Sequence, residues 1–171
     1  MPPAAVAPVT WYDPYRWEVR GGLLSEIYQK ERGAIEASGE VIFPRLFRVP
    51  DLGWADFLIP RFHMGVAVNL SGKTSFAYAG PIWTLNYTER FFGQFFVGAT
   101  VHNGKLDHSD PTRNALGCRE LFYVGINEGY RFTPNLSVML TVSHSSSGNG
   151  LTRCPANQSL NEAGIRLGYQ F

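Results

Sequence analysis

A chain of 171 residues has the size of one domain. Its formal net charge of +1, on 15 basic and 14 acidic residues, supplies no electrostatic footprint for nucleic acid. Although 44% of the residues are hydrophobic, no run of 18 or more apolar residues forms a transmembrane helix, so the apolar residues must be spread over short segments.

The opening Met1 to Pro8 lacks a basic n-region and an apolar h-region, so it does not read as a signal peptide. It reads as a mature start behind an added Met, with residues 1–15 as a periplasmic N-terminal segment. Eight alternating segments then follow. The first sets Trp17, Val19, Gly21 and Leu23 against Glu18, Arg20, Gly22 and Glu26. The second sets Ala37, Gly39, Val41 and Phe43 against Glu36, Ser38 and Glu40. A longer connection spans 46–56. The third is the clearest, with Leu58, Phe62, Met64, Val66, Val68 and Leu70 opposed to Arg61, His63, Gly65 and Asn69. The fourth, Thr74 to Tyr87, changes phase between Phe76/Tyr78 and Trp83/Leu85/Tyr87, and the intervening Gly80-Pro81 predicts a bulge.

The fifth has Phe91, Phe95, Val97 and Val101 against Gln94, Thr100 and His102; the sixth has Phe122, Val124, Ile126, Tyr130 and Phe132 against Tyr123, Asn127 and Arg131. Glu128 has outward parity, which places it near the periplasmic boundary or at a register change. In the seventh, Leu136, Val138, Leu140 and Val142 share a face, and the same face ends in His144 and Ser146. The eighth sets Ile165, Leu167, Tyr169 and Phe171 against Arg166, Gly168 and Gln170.

Segments of about 9–11 residues are long enough to cross a bilayer at a tilt. Short turns at 71–73, 88–90 and 133–135, with long loops at 103–119 and 147–160, complete the pattern of an all-β, eight-stranded antiparallel transmembrane β-barrel, one domain over 1–171. Charge on the hydrocarbon side of such a barrel costs about 2–4 kcal/mol at mid-membrane, so the charged face must turn inward. An eight-stranded lumen holds only side chains, so His63 and His102 are expected within a packed, paired interior and not in a channel. The closing Tyr169-Gln170-Phe171 resembles the assembly signal of bacterial outer-membrane barrels. The expected location is therefore the bacterial outer membrane, with membrane lipids as neighbours and a second copy of the chain as a possible partner. With the termini periplasmic, odd strands run outward, and His144 and Ser146 reach the outer end of strand seven beside the start of strand eight. A base and a hydroxyl on a lipid-facing surface suggest a Ser-His hydrolase. Cys118 and Cys154 lie in the two long outer loops and are expected to form a disulfide. No cofactor is called for, and the site's nitrogen and oxygen groups do not make a three-ligand metal set.

The run His144-Ser145-Ser146-Ser147-Gly148-Asn149-Gly150, followed by Asn157-Gln158-Ser159-Leu160-Asn161-Glu162 and Gly164 to Phe171, resembles the end of the lipid A 3-O-deacylase family (PagL-like acyloxyacyl hydrolases). The resemblance implies an outer-membrane barrel that removes the ester-linked acyl chain at the 3-position of lipid A, the lipid anchor of lipopolysaccharide. The family's His-x-Ser pair falls on His144 and Ser146. Its Asn of the oxyanion region falls on Ser147, a departure, with Gly148 next. Its catalytic acid falls on Asn161, a second departure, with Glu162 one step later. Either Asn161 orients His144, or a bulge turns Glu162 outward, or activity is weak or lost; the first is the favoured reading. The competing functions are a catalytically silent structural or adhesive barrel and a soluble barrel binding an apolar ligand. Partition into detergent tests the last, and mass spectrometry of lipid A tests the first.

Overall fold

The computed structural model describes residues 11–47, 53–148, 154 and 158–171; residues 1–10 of the expected periplasmic segment, and part of the 46–56 connection, lie outside them. Eight strands follow one another: β1 Glu18–Glu26, β2 Ile35–Ile42, β3 Arg61–Asn69, β4 Phe76–Asn86, β5 Phe91–His102, β6 Glu120–Arg131, β7 Leu136–Ser146 and β8 Leu160–Gln170. Each pairs antiparallel with its neighbour in sequence, and β1 closes on β8. Closure removes every sheet edge, which is the condition for placing strands in hydrocarbon. A short 3₁₀ segment, Gly53–Leu58, precedes β3 in place of that strand's expected first residues. The closing seam is tight: a Cβ added at Gly22 would run into the Ile165 carbonyl, and one at Gly164 into that of Leu23. Both positions require glycine for that close approach.

Alternation sorts the side chains by solvent. Leu23, Val68, Leu140 and Ile165 are more than half exposed on the outer wall. A belt of that extent is unsustainable in water and is satisfied by lipid. Inside, Glu40 is the hub. It accepts from Arg20 Nη1 at 3.2 Å, meets His63 Nδ1 at 2.7 Å and lies 3.6 Å from Arg166 Nη1. Glu18 pairs with Arg20 at 2.7 Å and with Arg61 at 3.1 Å. The paired interior expected from the charged face is thus present, and His63 belongs to it. His102 does not: its Nε2 donates to the Cys118 carbonyl at 2.7 Å, and its Nδ1 accepts from the Gly104 N–H.

One expectation needs correction, and one alternative is decided. No bulge occurs at Gly80-Pro81, because β4 keeps one register against both β3 and β5 from end to end. The apparent phase change arises because Phe76 and Tyr78 point inward, where they pack with Phe96 and Tyr123. Charged pairs alone do not fill an eight-stranded lumen, and these rings supply the missing volume. For Glu128 the first of the two expected placements fits, with no register change. It stays outward near the terminus-bearing end of β6, where it accepts a hydrogen bond from the Tyr87 hydroxyl at 3.1 Å.

The opposite end carries an interlocked cap. Glu31, in the β1–β2 loop, accepts from Arg113 Nε at 2.7 Å and from the N–H and hydroxyl of Thr74, both at 3.0 Å. Cys118 and Cys154 form the expected disulfide, with Cα atoms 5.5 Å apart, and join the β5–β6 loop to the β7–β8 loop. Burial works to raise the Glu31 carboxyl, but the hydrogen bonds from Arg113 and Thr74 outweigh it and hold the group below the usual carboxylate range. A depressed folded-state pKa contributes stability that is complete above the ordinary carboxylate range and is lost as pH falls through the lowered value. Limited proteolysis in detergent should therefore find the cap loops resistant at neutral pH and increasingly cut on acidification well below pH 4. The barrel ladders should survive the same treatment. Equal cutting at both pH values would contradict this account of the cap.

Candidate active site

The outward face of β7 stays apolar through Leu140 and Val142 and then changes character at the strand's outer end. His144 is exposed there, and Ser146 follows on the same face, half-buried. Across the β7–β8 ladder, His144 stands directly opposite Asn161. Their side chains meet, with His144 Nδ1 at 2.7 Å from Asn161 Oδ1. An amide oxygen can only accept, so Nδ1 carries the proton and Nε2 presents its lone pair outward. That is the tautomer a general base needs. On the other flank, β6 sets Val124 opposite His144 and Phe122 opposite Ser146. Phe122 is about half exposed, as are Val142 and Ile165, so the polar pair is bordered by an apolar wall on which an acyl chain could lie.

The ambiguity between Asn161 and Glu162 is resolved by register. β8 holds one register along its whole length against both β7 and β1, so no bulge turns Glu162 outward. Glu162 is 1% exposed and accepts from the Ser143 hydroxyl at 3.1 Å, inside the barrel. The reading that would present its carboxylate to His144 is therefore overturned. Ser147 lies just past the strand and is buried, and Gly148 follows with φ +76°, a left-handed conformation suited to glycine. Asn149, Gly150 and Asn157 lie outside the described residues. Among the described residues no cluster of three or more His, Cys, Asp or Glu is disposed to hold a metal ion.

Several groups around Asn161 escaped the reading of the sequence. The Asn161 N–H donates to Glu26 Oε2 at 2.9 Å, and its carbonyl accepts from the Ile27 N–H at 2.8 Å. Its side-chain Nδ2 donates to Ser159 Oγ at 2.8 Å, and Gln29 Nε2 donates to the same oxygen at 3.2 Å. Ser159 shares the parity of Asn161, which is the signal that could have found it. Gln29 comes from a different loop, and nothing local in the sequence points to it. The whole arrangement can take a proton from a hydroxyl at the membrane surface, with the imidazole held from behind.

A model of the family described as lipid A 3-O-deacylase (PagL) matches residues 5–170 of the chain. No curated protein matches it. Among solved structures, the crystal structure of the outer membrane enzyme PagL is similar, with a TM-score of 0.67 over 90% of this chain and 99% of that one, at 13% identity. The N-terminal β-barrel domain of Pseudomonas aeruginosa OprF gives a TM-score of 0.61 at 12% identity, covering 92% of this chain and 98% of that one. The Yersinia pestis outer membrane protein Ail gives 0.52 at 11% identity, over 91% and 99%. At such identities the structural likenesses establish the barrel fold alone.

Proposed function

The chain belongs to the lipid A 3-O-deacylase family, and on that premise we propose that His144, Ser146 and Asn161 carry its reaction. The protein is an ester hydrolase of the bacterial outer membrane, and lipid A is its substrate. In the proposed mechanism, lipid A reaches the site by lateral diffusion, with its acyl chains along the wall of Phe122, Val142 and Ile165. Ser146 Oγ attacks the carbonyl carbon of the 3-O ester while His144 Nε2 takes the hydroxyl proton. Collapse of the tetrahedral intermediate breaks the bond to the sugar oxygen, and His144 returns the proton to that leaving oxygen. Water, activated by the same imidazole, then releases the fatty acid from Ser146. The N–H groups of Ser147 and Gly148, next in sequence after the nucleophile, are the proposed donors to the oxyanion.

The observation that carries this reading is the 2.7 Å contact from Nδ1 to Asn161 Oδ1 at the outer end of the lipid-facing wall. An amide supplies orientation without the charge that a carboxylate would lend the imidazolium, as in Cys-His-Asn sites. The test is a pair of substitutions. Asn161→Ala should lower kcat by about a hundredfold or more, because the imidazole loses its tautomer and direction. Glu162→Gln should leave kcat within about threefold of wild type, because that side chain faces the lumen. The reverse order would remove Asn161 from the mechanism.

A further inference from the structure

We propose that Glu128 and Arg90 hold the headgroup of one aminophospholipid, of the phosphatidylethanolamine type, on the outer wall of the barrel toward the end opposite His144 and Ser146. The starting point is a charge in an unfavourable place. Glu128 is exposed on the lipid-facing side of β6, where the ladders set it opposite Gly93 and Leu140. Ionisable groups on such a surface are costly and are retained where a partner meets them. The Tyr87 hydroxyl donates to Glu128 Oε1 at 3.1 Å, but a phenol brings no charge to set against the carboxylate. Among the described residues no cation lies within ion-pair distance of Glu128. The tyrosine contact is nevertheless a built one. Tyr87 follows β4, so its ring must cross β5 to reach β6. It crosses at Gly93, where an added Cβ would run into the Tyr87 hydroxyl. Glycine at that position keeps the path open and lets the phenol fix the carboxylate.

A cation stands at the same rim. The Arg90 carbonyl accepts from the Arg131 N–H at 2.9 Å, which sets Arg90 beside β6 and nearer than Glu128 to the terminus-bearing end. Its Nη1 donates to the Tyr130 hydroxyl at 2.9 Å, and its guanidinium lies over the Trp11 ring, 4.7 Å from the centroid. Among the described residues it too has no opposite charge within ion-pair distance. Tyr130 shares the outward face of β6 with Glu128, one alternation away. An anion and a cation, each uncompensated, thus border one stretch of the wall. Apolar grooves flank the carboxylate. One, of about 320 Å³, is lined by Glu128 with Phe91, Val138 and Leu140; the other, of about 340 Å³, is lined by Glu128 with Trp83, Phe95 and Ile126. A diacyl lipid offers two chains to two grooves and one headgroup between them. Charge complementarity selects the headgroup. A phosphate suits the Arg90 guanidinium, and a primary ammonium, a donor only, suits the Glu128 carboxylate. An anionic headgroup such as that of phosphatidylglycerol answers Arg90 alone and is repelled by Glu128. This site does not depend on the reading of His144 and Ser146.

The test is native mass spectrometry of the delipidated protein in detergent, titrated with dioleoyl phosphatidylethanolamine or with dioleoyl phosphatidylglycerol. The wild-type barrel should bind one phosphatidylethanolamine about tenfold more tightly than phosphatidylglycerol, the effect of one charge-assisted hydrogen bond. Glu128→Gln should bring the two lipids to within about twofold of each other, since the neutral amide neither pairs with the ammonium nor repels the anion. Arg90→Gln should weaken both lipids by a similar factor and leave the preference in place, because both carry the phosphate. Heat-modifiable migration confirms that each barrel is folded; both side chains are exposed, so neither substitution removes core packing. Equal affinity of the wild-type protein for the two lipids, or a preference that persists in Glu128→Gln, would overturn the proposal. A dimer mass that disappears in Glu128→Gln, with no lipid preference in the wild-type protein, would make the occupant a second copy of the chain and overturn it as well.

Discussion

Ser146→Ala and His144→Ala will each reduce release of the 3-O acyl chain by about 10³-fold or more, while the folded barrel persists. Both side chains sit at the outer end of β7, exposed or half-buried, so truncation removes little packing. In the proposed mechanism, loss of either closes the covalent route. Without Ser146 there is no nucleophile to carry the acyl group, and without His144 the hydroxyl keeps its proton at neutral pH. If the two act as one unit, as the proposed mechanism requires, the double variant should be no slower than the worse single one. The measurement is free fatty acid released from lipid A in detergent, with heat-modifiable migration as the fold control. If either variant retains more than a tenth of the wild-type rate, the Ser-His route is wrong.

The second large effect concerns stability. Glu40→Ala should destabilise the barrel by about 3–5 kcal/mol, read from urea unfolding in detergent or vesicles. Glu40 faces Arg20, His63 and Arg166 at once. Arg20 keeps Glu18 after the substitution, at 2.7 Å. Arg166, 1% exposed, loses its carboxylate partner and keeps its position over the Tyr78 ring, 5.7 Å from the centroid. The cost is therefore that of an uncompensated buried cation, not of the lost contacts themselves. Replacing both members, Glu40→Ala with Arg166→Met, should recover a large part of the loss, since a buried pair exchanged for apolar volume is close to neutral. A loss under about 1 kcal/mol for the single variant would show that water or local rearrangement reaches Arg166.

The period-two pattern made most of the barrel legible. Outward Leu140, Val142, His144 and Ser146 follow from counting along β7, and the packed interior follows from the cost of charge in lipid. The reading failed where it assumed that aromatic residues belong outside. Phe76 and Tyr78 looked out of phase for that reason, and a bulge was inferred to restore them. In fact an eight-stranded lumen needs volume as well as charge pairs, and period alone does not say which face a ring takes. The partner of His144 posed a different difficulty. The loop from 147 to 159 does not fix how β8 registers against β7, and a slip of one residue exchanges Asn161 for Glu162. Only the pairing of His144 with Asn161 across the ladder decides it. Gln29 was out of reach of any local pattern, since it meets Ser159 across a separation of 130 residues.

The most direct test of the central claim is the mass of lipid A after incubation with the purified protein in detergent. The account predicts a new species lighter by one ester-linked acyl chain from the 3-position, with the matching fatty acid released, and no such species with Ser146→Ala. Unchanged lipid A with the wild-type protein, across lipid A species of different acyl length and without reductant, would contradict it. So would the same product appearing undiminished with Ser146→Ala.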